Sequence, residues 1–274
     1  MRDLTYLSWS MGKDFSGEFT QTSLGAYYKT VEILEGTKKY YKASRLIYGQ
    51  GFGDESIYEV LFSRVMKLLG IPCVEYQLIH AKIRLADKIY ETHICESKDF
   101  AKSYLSRRTF EKFVEADGDS VDVIIAKYGF QKMINQIIVA DYLTLNFDRH
   151  GANVEMLLDT NGNYELAPLF DNGNSFFSPY PSIDKNQIPT VREYDVTQNK
   201  RLGNHFLGAK DLLDSLCYVK GRVAINRVVN ERWDTIFQDM EEILPDSYKY
   251  KIVETLTKRL SYLEEVGLVE FKKV

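Results

Sequence analysis

Two early runs, Ala26–Leu34 (AYYKTVEIL) and Thr37–Tyr48 (TKKYYKASRLIY), mix Tyr, Val and Ile with interleaved polar residues. Only Glu35 and Gly36 separate them, so the pattern predicts a β-hairpin. The stretch GQGFGD, Gly49 to Asp54, then breaks it. Apolar positions next recur three and four apart, at Ile57, Val60, Leu61, Val65, Leu68 and Leu69. That spacing predicts a helix, with Asp54 and Ser56 as candidate caps and with Gly70 and Pro72 ending it. CVEYQLIHAKIRL and KIYETHICES read as two further strands, giving β-β-α-β-β to about residue 97. Beyond it the chain reads as helix-dominated. Phe130–Leu145 carries a helical stripe, and IFQDMEEIL and YKIVETLTKRLSYLEEV predict helices near the C-terminus. Between them, Gly173 to Leu207 is polar and interrupted by Pro179, Pro181 and Pro189, a length of irregular chain that usually serves a function or is partly disordered.

Composition narrows the setting. At 274 residues, the chain suits one large domain or two lobes sharing an interface. An aromatic share of 13% argues against disorder, and a net charge of −4 gives no electrostatic footprint for direct nucleic-acid binding. Cys73, Cys95 and Cys217 are dispersed and lack metal-ligand spacing, which fits buried thiols in a reducing cytoplasm. The N-terminus does not read as a signal peptide, and no run approaches a membrane span. His80, His93 and His205 are scattered and read as structural or exposed.

The chemistry concentrates in NFDRHGANVEML, Asn146 to Leu157, a polar turn between apolar runs. Asp148 and Asn153 stand five apart. A strand (VEMLLD), a turn (TNGN) and a second strand (YELAPLF) follow, and then Asp171 in FDNG. Such a strand pair returns Asp171 to the side of Asn153. One carboxylate and one amide oxygen, completed by phosphate oxygens and water, suit Mg²⁺. Asp148 would lie beside that ion, positioned to orient a hydroxyl and accept its proton. The competing reading makes all three residues turn formers. Asp141 and Asn146 share the five-residue spacing but straddle a helix end and read as structural.

The N-terminal half supplies what phosphoryl transfer also requires. Lys42 is mid-strand and Glu59 lies in the following helix, the pairing with which a kinase small lobe holds ATP. Glu55 is the rival to Glu59. Ahead of the first strand, Thr22, Ser23 and Gly25 form a small-residue loop that lets backbone N–H groups approach phosphates.

With these residues in view, the chain resembles the HipA-like serine/threonine protein kinases, including their compact, CtkA-like branch. The carriers are TSLGAYYK, YYKAS, YEVLFSRVMKLLGIP, NFDRHGAN and LAPLFDNGNS, in the family's order from Thr22 to Ser175. The resemblance implies an α+β, two-lobed protein-kinase-like fold, with a small β-rich N-lobe (1–97) and a helical C-lobe (98–274). It implies Asp148 as the catalytic Asp, with His150 steadying the loop or the transferred phosphate. Asn153 and Asp171 would bind Mg²⁺, Lys42 would contact the ATP phosphates and pair with Glu59, and Thr22–Gly25 would be the phosphate loop. ICES would be the hinge, with Glu96 and nearby backbone reading adenine. Autophosphorylation at Thr22 or Ser23 would repel ATP. DNG replaces DFG, so no Phe switch is implied, and His150 follows the Asp instead of preceding it.

The expected activity is therefore ATP- and Mg²⁺-dependent transfer to Ser or Thr of a protein substrate, with 173–207 contributing to acceptor binding. Larger family members carry an extra N-terminal segment and pair with an antitoxin. This chain begins close to its phosphate loop, which leaves an antitoxin-like or regulatory partner open. DRHxxN also resembles the catalytic loop of phosphoinositide kinases, but no Lys/Arg cluster follows Asp171. A small-molecule kinase for cationic substrates shares the Asp–Asn–Asp set. A nucleotide-binding pseudokinase is the reading from another class, because competence depends on ångström-scale placement.

Overall fold

The computed structural model describes residues 1–11, 27–47, 51–177 and 202–272. Two short strands open the chain, β1 (Arg2–Leu4) and β2 (Ser10–Met11). The two hydrophobic runs then form the expected hairpin from β3 (Tyr28–Leu34) and β4 (Thr37–Ala43), with Lys29 opposite Lys42. Its turn residues Glu35 and Gly36 both have positive φ, the geometry of a two-residue hairpin turn. The second run does not continue to Tyr48. It ends at Ala43 because Ser44 turns to receive the next helix: the Ser56 amide donates to Ser44 Oγ at 2.8 Å. Leu46–Ile47 (β5) instead pairs with Gly51–Phe52 (β6).

Helix α1 (Glu55–Leu69) ends on Gly70 in the left-handed region, as read. Asp54 occupies the N-cap position, but its side chain makes no capping hydrogen bond. Strands β7 (Tyr76–Leu85) and β8 (Lys88–Lys98) complete a sheet of order β1-β7-β8-β4-β3-β2. Along β4 and β8 side chains alternate between faces. Tyr41, Ala43 and Ile94 enter a small core with Leu4, Ala81 and Ile83. The opposite face, carrying Lys42 and Cys95, meets α1.

α1 is buried nearly all round: Val60, Leu61, Phe62, Val65, Met66 and Leu69 are fully enclosed. A helix apolar on every side needs partners on every side. The sheet supplies one, and the C-terminal half supplies the other. Arg64 Nη1 donates to the Ile236 carbonyl at 2.9 Å and Asn226 Nδ2 to the Leu68 carbonyl at 3.1 Å, while the Tyr58 and Tyr248 hydroxyls bond to each other. Each enclosed large side chain contributes about 1.5–3 kcal/mol, so Leu61→Ala would cost roughly 2–5 kcal/mol.

The rest comprises β9 (Ser106–Thr109), α2 (Phe110–Asp117), α3 (Val121–Tyr128), α4 (Gln131–Thr144), β10 (Glu155–Leu158), β11 (Tyr164–Leu166), α5 (Leu212–Ser215), β12 (Val223–Ile225), α6 (Asn230–Trp233), α7 (Asp246–Glu265) and β13 (Val269–Phe271). The apolar stripe of α4 is the centre of the core. α7 packs on it, with Arg259 Nε donating to the Tyr142 carbonyl at 2.7 Å. The helix expected over IFQDMEEIL is not formed: a 3-10 turn, Asp234–Phe237, gives way to extended Gln238 and left-handed Asp239. Cys95 is buried but Cys217 is exposed, so the expectation of three buried thiols holds only in part. The architecture is α+β.

Candidate active site

The site assembles from strand, helix and loop. Lys42 leaves β4 toward α1, and its Nζ lies 2.6 Å from Glu59 Oε1 and 2.5 Å from Asp171 Oδ1. Glu59, fully buried, accepts with its other oxygen the backbone amide of Asn172 at 2.8 Å. One carboxylate thus joins the strand lysine to the loop after β11. The rival, Glu55, instead faces Arg45. Burial alone would raise the Asp171 carboxyl, but the charge of Lys42, then of Lys29, the Lys42 hydrogen bond and His150 hold it well below its ordinary value. Burial disfavours charge on Lys42 as well, yet Asp171 and Glu59 keep its pKa well above the usual lysine value.

Asp171 sits in the left-handed region, φ 55°, where a non-glycine residue is uncommon and is held by its surroundings. Gly173 explains how the loop lies so close to α1: a Cβ there would stand 3.0 Å from Glu55 Cβ and 3.2 Å from its carbonyl oxygen. The DNG loop does place a Phe under α1, five residues beyond Asp171: Phe176 packs on Tyr58 and donates its amide to the Thr144 carbonyl.

The loop after α4 is built around Arg149, which is fully buried. Its guanidinium donates to both Asp141 oxygens at 2.9 and 2.8 Å, to the Asn153 carbonyl at 3.1 Å, to the Phe170 carbonyl at 3.0 Å and to Asn172 Oδ1 at 2.5 Å. Asn146 Nδ2 also donates to Asp141 at 2.8 Å, so the Asp141–Asn146 pair is structural. Arg149 therefore clamps the Asp148 turn to the DNG loop. Gly151 is needed for the same fit, because a Cβ would lie 2.9 Å from Glu111 Cβ on α2.

Asp148 points out of this clamp, half-exposed. Its Oδ2 accepts from Asn174 Nδ2 at 2.7 Å, and its Oδ1 lies 3.9 Å from His150 Nε2. Burial raises its carboxyl above the ordinary value, against the opposing pull of His150 and Asn174, which suits a group that must accept a proton. His150 Nδ1 is buried with no hydrogen-bond partner among the described residues. Asn153 Nδ2 donates to the Asp148 carbonyl at 2.9 Å, fixing the amide and leaving Oδ1 as an acceptor. Asn153 and Asp171 offer hard oxygens, and no group of three or more acidic, His or Cys ligands exists among the described residues. A cation held there would need phosphate and water oxygens, as Mg²⁺ prefers.

Three residues of this cleft were not legible as such in the sequence: Lys29, Tyr27 and Arg149. Lys29 shares the face of Lys42 by strand register. Tyr27 lays its ring 4.5 Å from Lys42 Nζ and donates to Asn174 Oδ1 at 3.3 Å. Arg149 lies within the Asn146–Leu157 turn, but no spacing distinguishes a buried arginine from a solvated one. Glu96 is not brought to the cleft. It lies on the other sheet face, opposite Tyr41, and accepts from Arg2 at 2.7 Å and Lys39 at 2.8 Å. Alternation puts adjacent Cys95, not Glu96, on the Lys42 side. Thr22, Ser23 and Gly25, and much of 173–207, lie outside the described residues.

Among solved structures, the fold matches the Helicobacter pylori proinflammatory kinase CtkA, with a TM-score of 0.64 over 97% of this chain and 96% of that one, at 17% identity. A chain of the Shewanella oneidensis MR-1 toxin–antitoxin complex of HipA, HipB and operator DNA superposes with a TM-score of 0.38, at 13% identity, over 88% of this chain and 56% of that one. No protein-family profile and no curated protein matches the sequence. The chain thus has the fold of the CtkA kinase. No described helix is long and apolar enough to cross a membrane.

Proposed function

We propose that this protein is a kinase of the HipA-like kind, which transfers the γ-phosphoryl group of ATP to a Ser or Thr hydroxyl of a protein. The observation that carries the reading is the meeting of Lys42, Glu59 and Asp171, from β4, α1 and the loop after β11, within 2.6 Å of one lysine nitrogen. Structural ion pairs are common, but this one sits beside Asp148 and Asn153, and its strand–helix–loop origin is the arrangement phosphoryl transfer uses.

In this reading Lys42 binds the phosphates of the donor, braced by Glu59, and Lys29 adds a second cation on the same face. Asn153 and Asp171 would hold Mg²⁺, which when bound would neutralise charge on the phosphates. Asp148 orients the acceptor hydroxyl and takes its proton as the oxygen–phosphorus bond forms and the bond to the ADP leaving group breaks. His150, with one ring nitrogen unpartnered among the described residues, steadies the loop or the group in transfer. The stacked rings of Phe100 and Phe170, 5.7 Å apart beside Asp171, offer an apolar surface for the base, a role that replaces the one expected of Glu96. The phosphate loop, Thr22 to Gly25, is the place for autophosphorylation.

The test is to incubate wild type and Asp148→Ala with labelled ATP and Mg²⁺, offering protein, lipid and aminoglycoside acceptors in parallel. Label on protein Ser or Thr, absent with a folded Asp148→Ala, is the expected result. Transfer that survives the substitution, or goes to lipid or aminoglycoside instead, overturns it.

A further inference from the structure

At the opposite end of α4 from Asp148 lies a second cavity, of about 800 Å³, within the range of small-ligand sites. α4 has 14 residues, so the two sites stand about 20 Å apart along its axis. The cavity is rimmed by Lys132, Lys220, Arg222 and Lys272, and by a single acid, Glu165, which already accepts from the Tyr104 hydroxyl. None of the four cations pairs with a carboxylate among the described residues. On a chain of net charge −4, four unpaired cations around one cavity are a local reversal of sign. Like charges held together cost free energy unless something neutralises them.

The rim is built rather than incidental. Asn135, 5% exposed, accepts the Lys220 amide at 3.1 Å and donates to the Lys220 carbonyl at 2.7 Å. Gln131 Nε2 donates to Asn135 at 2.7 Å and to the Tyr218 carbonyl at 3.3 Å. This buried network fixes the Lys220–Arg222 turn over the start of α4. α4 follows Phe130, whose side chain does not cap it, so among the described residues no cap side chain occupies its first-turn amides, which can meet an anion. Lys132, Met133 and Gln136, three and four apart, turn one helical face to the cavity. Gln136 is 8% exposed, and its amide makes no side-chain hydrogen bond among the described residues. Tyr128 stacks on Phe130 with centroids 5.5 Å apart and packs edge-on to Tyr164, giving the cavity an aromatic wall.

We propose that this cavity binds a phosphate monoester, a dianion met by the four cations and the α4 amides, with its organic body against the Tyr128 wall. The ester is carried by a phosphorylated residue of a protein or by a free small molecule. The site is independent of the reading given to the catalytic cleft.

The test uses the full chain, labelled with ¹⁵N, at low ionic strength, titrated with a blocked phosphoserine tripeptide and, separately, with inorganic phosphate. The expected result is amide shifts at residues 131–133 and 220–222, and binding weakened at least about tenfold by Lys220→Glu with Arg222→Glu. A peptide bound more tightly than inorganic phosphate assigns the ester to a protein, and a peptide bound no more tightly gains nothing from its peptide body, which excludes a protein and leaves the ester to a free small molecule. The absence of shifts at these amides in wild type up to about 10 mM of both probes, or titrations unchanged in a variant with unaltered thermal unfolding, overturns the proposal.

Discussion

Arg149 and Asp141 form a buried ion pair in which two guanidinium nitrogens meet the two carboxylate oxygens at 2.9 and 2.8 Å. Removing one partner strands the other charge in the core. Arg149→Met or Asp141→Asn is expected to destabilise by about 3–5 kcal/mol, a loss of roughly 10 °C in thermal unfolding. The double substitution Asp141→Leu with Arg149→Met removes the stranded charge but leaves the Asn153 and Phe170 carbonyls and Asn172 without their donor, so it should recover only part of that stability and no activity, because the Asp148 turn loses its clamp to the DNG loop. Calorimetry and a transfer assay on the same three proteins separate the two effects. Full activity in the double variant would show that the clamp does not position the turn.

Lys42 is held by Glu59 and Asp171 together. Lys42→Met should slow transfer by about 10²–10³-fold, and Glu59→Gln, which keeps the shape but not the charge, by about tenfold. Single-turnover transfer measures both. An unchanged rate in Glu59→Gln would mean that the helix carboxylate is only structural.

The ring of Tyr27 covers Lys42 Nζ at 4.5 Å. In the proposed function, phosphates and ring compete for that cation, whose attraction to the ring is about 0.5–2 kcal/mol. Tyr27→Leu should therefore tighten nucleotide binding about three- to tenfold, read by titration with a fluorescent ATP analogue. Equal or weaker binding would place the ring outside the path of the phosphates.

His205 is buried, and chiefly for that reason its pKa is lowered to about 4; its Nδ1 accepts the Leu207 amide at 3.3 Å, a bond that protonation abolishes. The unfolded chain takes up a proton near the ordinary value of about 6.5, before the folded chain does. Stability contributed by neutral His205 is therefore complete above that value and lost as pH falls toward 4. The loss should reach about 3 kcal/mol. Urea unfolding of wild type and His205→Gln across this range should show the wild-type stability falling more steeply, and parallel curves would contradict the assignment.

Local pattern made much of this protein legible. The hairpin, α1 with its Gly70 stop, and the α4 stripe are set by neighbours within a few residues, where propensity, spacing and turn chemistry act. The proposed site residues of the Asp148 turn stand out in the sequence because they lie between two apolar runs, and those of the DNG loop because they end one. The missing helix over IFQDMEEIL, the early end of β4 at Ala43 and the side-chain direction of Glu96 were decided by long-range partners. Residues near in sequence cannot reveal which sheet face will be covered, or that Ser44 will receive a helix. The same is true of Arg149, Tyr27 and the four cations around the α4 start. Each gains its role only when chain segments tens of residues apart are packed together, since burial and charge pairing depend on distance in space.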